Sequence, residues 1–217
     1  PYFMREALEN GIPGRLEGLG GTAVYIQGTC GGLIGPGSVE PLDASGIPIT
    51  DRHSWAAAEA LGHTYAEYAV RALESTRAVD DTSPDLAFRS REIFVRVDNY
   101  NYQAAYRLGI LSRALFNFDE EAFIDETNTP DALSQVVYLR IGPSSLVTLP
   151  GELAPEVFIG GYDGSYAGGW RFIGDNNSNP PDISQAPAGP YLRDIMQEDG
   201  SLFQWVIGLG QDEVGYI

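Results

Sequence analysis

V-V-Y-L-R-I-G-P-S-S-L-V-T-L-P-G-E, residues 136–152, is the stretch whose reading decides the fold. Residues 136–141 form a short apolar run rich in valine and isoleucine, which predicts a buried strand, and residues 145–149 predict a second. Gly142-Pro143 between them is turn chemistry. Pro150 stops the ladder and Gly151 permits a tight corner. Glu152 then stands where a strand hands over to a helix start at Leu-Ala-Pro-Glu. A carboxylate at that place is held by the scaffold and favoured by the helix dipole. Strand ends of this kind are also where α/β proteins carry out their chemistry. Read locally, Glu152 is either a functional carboxylate or an ordinary helix-start residue.

Outward from that hairpin, residues 22–27, 92–97 and 204–208 read as further strands. Residues 2–10, 54 to about 76, 100–116 and 191–198 read as helices. The second of these recurs in Ala, Leu, Tyr and Val at helical spacing, with Asp51 or Ser54 placed to cap it. The elements together predict an α/β fold: a mixed sheet with helices packed on its faces. One layered domain over 1–217 is expected. The tyrosines of N-Y-N-Y at 99–102 either pack on the sheet or line a groove, packing being the expectation.

The formal charge is −17, and all 13 basic residues are arginine. A field of that sign repels phosphate backbones, so nucleic acid is excluded as a partner. It favours cations instead. No apolar run approaches the roughly 20 residues of a membrane helix. Cys30 is the single cysteine, so no internal disulfide forms. The chain opens at Pro1 rather than methionine, which is expected of a processed product or of a piece of a longer protein. A secreted, periplasmic or cell-surface location is expected, with no signal peptide visible in this stretch.

The residues around three segments carry a resemblance. G-G-T-A-V-Y-I-Q-G-T-C-G-G-L-I-G-P at 20–36, T-L-P-G-E at 148–152 and G-L-G-Q-D-E-V-G-Y-I at 208–217 resemble the neutral ceramidase family, in its order and across nearly the whole chain. In that family two histidines, the glutamate of the P-G-E turn and a tyrosine of the Y-I strand hold zinc. The matching positions here are Glu152 and Tyr216. A carboxylate and a phenolate at strand ends suit a Lewis-acidic zinc with an open place for water or a carbonyl. The resemblance places the ligand histidines upstream of the G-G-T strand, before Pro1. His53 and His63, ten residues apart, are therefore read as structural or exposed.

The glycine-rich turn departs from the family. Where the resemblance expects the nucleophilic serine this chain has Gly35, Leu33 lies near the place of an expected aspartate, and Ser38 stands three residues on. Metal-activated water rather than serine is then the expected nucleophile, acting on an amide (N-acyl) or related acyl bond of a small-molecule or lipid substrate. The alternative is a non-catalytic extracellular protein that keeps the fold for assembly or binding.

Residues 160–190 form a long Gly, Asn, Pro and aromatic insertion. Tyr162, Tyr166, Trp170 and Phe172 are candidates to line a substrate entrance. Insertions of this length usually act as a lid or a subunit contact, which leaves a homo-oligomer open. Asp175, Asn176 and Asn177 offer oxygen donors suited to calcium, without the EF-hand spacing.

Overall fold

A computed structural model describes residues 1–31, 39–75, 82–161, 182, 184 and 186–217. The chain divides into two compact units, Pro1–Ile26 with Leu33–Thr82, and Gln27–Gly32 with Ser83–Ile217.

The first unit contains helix α1 (Tyr2–Asn10), a two-residue pair β1 (Gly11–Ile12) and β2 (Leu16–Glu17), and helix α2 (Trp55–Leu73). Ala7, Ile12 and Ala66 are buried together, with Met4, Leu8 and Leu16 packed against them. A core this small contributes only a few kcal/mol, roughly 1.5–3 for a fully buried isoleucine. Ser54 caps α2, its side chain accepting from the amide of Ala57 at 3.2 Å, and Arg15 pairs with Glu67 at 2.7 Å.

Residues 22–27 are not a strand. They join no ladder, and Val24 and Ile26 are exposed. Strand preference is realised only where a ladder forms, and no strand is formed over these residues.

The second unit is built on a mixed sheet, as the pattern predicts. Strand β3 (Leu86–Arg96) runs antiparallel to β5 (Asp131–Ile141), in register from Leu86 opposite Ile141 to Arg96 opposite Asp131. β5 turns at Gly142-Pro143 into β6 (Ser144–Thr148), making the expected hairpin. β6 then pairs in parallel with β7 (Phe203–Ile207), and the short β4 (Leu115–Phe116) pairs with the start of β5. Ala132 and Ser134 of β5, and Ser145 and Val147 of β6, are buried at alternate positions, the period of two that strands require, while Val137 is buried on the other face of β5. The hydroxyls of the buried Ser145 and Ser201 satisfy each other at 2.8 Å. Helix α4 (Pro155–Ile159) packs with α5 (Leu192–Gln197), and α5 packs on β7.

Helix α3 covers only Tyr100–Arg107, not the whole of 100–116. Gly109 adopts φ 68° immediately past the cap, and the amides of Ile110 and Leu111 turn back to the carbonyl of Ala105. A left-handed glycine there ends a helix whatever the periodicity beyond it.

Candidate functional site

The antiparallel and parallel pairings together bring the carboxyl ends of β3, β6 and β7 to one edge of the sheet. An open cleft of about 1100 Å³ lies there, lined by the end of β3, by Tyr102 and Tyr106 of α3, by Arg113, and by Glu152 with residues 213–216. Such clefts outside strand ends are where open α/β sheets bind ligands.

Past β6 the chain continues as an extended rail. The amide of Leu149 donates to Ile207 at 2.9 Å, and Leu209 donates to the carbonyl of Gly151 at 3.0 Å. On the other side, Val214 donates to Pro150 at 2.7 Å and Glu152 to Gly215 at 2.8 Å. Ile217 returns a bond to the carbonyl of Glu152 at 3.1 Å. These last two bonds make Glu152 and Tyr216 a parallel bridge pair, an arrangement in which paired side chains lie on the same side. Both residues line the cleft. Glu152 is half-buried, and Tyr216 is 68% exposed.

The first glycine-rich segment bonds to the same rail. Gly208 donates to the carbonyl of Gln27 at 3.1 Å, and Gly31 donates to Leu153 at 2.9 Å. A Cβ on Gly31 would stand 2.6 Å from the carbonyl oxygen of Glu152. The stretches 27–31, 149–153 and 208–217 are thus laced together by backbone bonds. Burial, followed by the nearby carboxylates of Glu152 and Glu213, pushes the Cys30 thiol up. A thiol held protonated is a poor nucleophile.

An ion pair fixes the last segment. Arg113 donates to both carboxylate oxygens of Asp212 and to the carbonyl of Leu133. Ser134 adds a hydroxyl bond to Asp212 at 2.8 Å. The Arg113 hydrogen bond, ahead of the opposing effect of burial, holds the Asp212 carboxyl below its usual range. Glu213 follows directly, its carboxylate accepting from the amide of Gly215 at 2.9 Å. Neither Arg113 nor Asp212 is distinguished by its local pattern. They meet across 99 positions, both bonded to β5, Arg113 at Leu133 and Asp212 at Ser134.

Tyr102 lines the cleft with about half its surface exposed, and Tyr100 is more exposed still, so this pair does not pack on the sheet. His53 and His63 belong to the first unit. Among the described residues, no group of three or more His, Cys, Asp or Glu is arranged to hold a metal. Gly35, Leu33, Ser38, Tyr162, Tyr166, Trp170, Phe172, Asp175, Asn176 and Asn177 lie outside the described residues.

Fold and site together define an α/β chain with a cleft at the carboxyl edge of a mixed sheet. No family model matches the chain, and no curated protein matches it. Among solved structures, the crystal structure of neutral ceramidase from Pseudomonas aeruginosa is similar at 11% identity and a TM-score of 0.47, over 99% of this chain and 34% of that one. The chain spans about a third of the length of that protein.

Proposed function

We propose that the chain belongs to a zinc-dependent hydrolase acting on an amide (N-acyl) or related acyl bond, with Glu152 and Tyr216 as two of the metal's ligands. The observation that carries this reading is the bridge pairing of these two residues at the rim of the cleft. A carboxylate and a phenol oxygen on one side of a rail are a chemically suitable donor pair.

Two donors fill half of a four-coordinate shell. The proposal needs further donors, the histidines that the sequence resemblance assigns to a segment ahead of Pro1. Bound zinc would polarise an acyl carbonyl and make water a nucleophile near neutral pH. The chain's own residues do the positioning. The rail bonds fix Glu152, the Arg113–Asp212 pair holds the segment that presents Tyr216, and Tyr102 and Tyr106 offer an apolar wall with polar tips to a substrate.

The test is metal content and turnover of the full-length protein. Stoichiometric zinc that falls in Glu152→Ala and in Tyr216→Phe, with N-acyl substrates cleaved only by the metal-loaded form, is the expected result. No zinc in any form, with flat progress curves across short and long acyl chains, leaves the second reading. That reading is a secreted or surface-exposed assembly or binding module, and the exposure of Leu86 and Phe88 favours it. Calcium at the 175–177 segment is a separate proposal, checked by calcium titration of the same protein.

A further inference from the structure

β3 is eleven residues long and stands at the end of the sheet order, with one edge bonded to β5 along its whole length. Among the described residues nothing pairs with its other edge. A long open edge offers a row of amide and carbonyl groups to a further strand. Both faces are mixed: Ser90, Glu92 and Arg96 share one with three large apolar residues, and Ala87, Ile93 and Val95 share the other with two arginines. Leu86, Phe88 and Phe94 lie on one face and are 73%, 66% and 53% exposed. Arg89 and Arg91 lie on the other face, exposed, opposite Tyr138 and Val136 of β5, neither of which is acidic. Among the described residues the ion pairs include neither arginine, whereas Arg96 is matched to Asp98 at 2.8 Å. Three arginines against one glutamate make this strand basic in a chain whose net charge is −17.

We propose that the open edge of β3 docks an extended, acidic segment of a partner protein, one that alternates Asp or Glu with apolar residues. The alternation follows from Arg89 and Arg91 standing on one face and the exposed Leu86, Phe88 and Phe94 on the other. Added beside β3, such a strand sets its carboxylates over Arg89 and Arg91 and its apolar side chains over Leu86, Phe88 and Phe94.

A second copy of this chain is the poorer occupant. Antiparallel pairing of two β3 strands about their centre sets Arg91 against Arg91. A slip of one residue pair in either direction sets Arg89 against Arg91 or Glu92 against Glu92. Like charges directly opposite each other are destabilising.

The probe is a short synthetic strand of alternating Glu and Val. It is compared with an isomer carrying the same residues in two blocks and with an alternating Lys and Val strand. Binding to the whole protein is read by fluorescence anisotropy at low and high salt. The Glu/Val strand is expected to bind, and to weaken as salt screens the pairs. The two controls are expected not to bind. In an Arg89→Glu, Arg91→Glu double variant, affinity for Glu/Val falls about tenfold or more and the preference turns to Lys/Val. Both positions are exposed, and among the described residues neither is in an ion pair, so the variant is expected to keep the wild-type circular dichroism. Equal binding of all three strands, no binding of any, or unchanged Glu/Val affinity in the double variant overturns the proposal. So does a wild-type dimer in sedimentation that Ser90→Pro abolishes, since a second copy would then hold the edge.

Discussion

Arg113 and Asp212 lie 99 positions apart and are joined as a two-pronged pair, with Nη1 to Oδ1 at 2.8 Å. Both side chains are less than a third exposed, so water screens the pair only in part. It ties the approach to β4 and the start of β5 to the segment that carries Glu213 and Tyr216. Arg113→Ala strands a half-buried carboxylate and a carbonyl, and is expected to cost about 2–3 kcal/mol in urea unfolding. Arg113→Lys keeps the charge and loses the fork, so its midpoint falls between the two. An alanine variant that unfolds at the wild-type midpoint would remove the pair from the stability account.

Acid titrates the same contact. The Arg113 hydrogen bond depresses the Asp212 carboxyl. For Asp199, burial pushes the carboxyl up but is outweighed by bonds from Tyr138 and Ser201, so it too is lowered. A depressed carboxyl stabilises the fold above its unfolded pKa, about 3.9. That contribution is lost as pH falls through the lower folded value. Melting temperature is therefore expected to hold from neutral pH to about 4 and drop below it. Asp212→Asn should start lower and fall less steeply. Parallel curves for variant and wild type would contradict the assignment.

The hairpin around Gly142-Pro143 was legible because a local pattern dictates it: two apolar runs joined by a two-residue turn. Helix α1 was legible for a similar reason, ending at Gly11. β7 could be read as a strand, but its parallel pairing with β6 is a long-range choice that no window of sequence contains. The overrun of α3 came from following helical spacing past Gly109, whose left-handed φ is the local signal that outranks it. At the site, the carboxylate at a strand's end was legible from Pro150-Gly151. Its neighbour Tyr216 was placed by resemblance alone, since residues so distant carry no mutual periodicity. Arg113 had no such signal, being one arginine among 13.

Ser54 sits in the extended conformation ahead of α2, with its hydroxyl on the amide of Ala57 at 3.2 Å. Ser54→Ala leaves that amide to solvent and is expected to cost about 1 kcal/mol, whereas Ser54→Asp should be close to neutral. The check is thermal unfolding followed at 222 nm, the helix band, at about 25 °C and above. Equal midpoints for alanine and aspartate would show that the cap contributes nothing.

Gly31 is set where a side chain has no room. An added Cβ would meet the Glu152 carbonyl oxygen at 2.6 Å and the Ala154 amide nitrogen at 2.7 Å. Both are backbone atoms held by the rail, so neither can swing aside as the tip of a side chain would. Gly31→Ala therefore pushes residues 27–31 away from Glu152, at an expected cost of about 1–3 kcal/mol. The displacement has its own reporter. Burial and then the Glu152 and Glu213 carboxylates hold the Cys30 thiol up. As the segment moves out, that thiol should ionise at lower pH and react faster with a disulfide reagent. Glu152→Gln removes one of the two carboxylates without touching the backbone, and should speed the thiol with little loss of stability. If Gly31→Ala leaves both the unfolding midpoint and the thiol's pH–rate profile unchanged, the close passage of residues 27–31 beside Glu152 is wrong, and with it the lacing of the three segments about that residue.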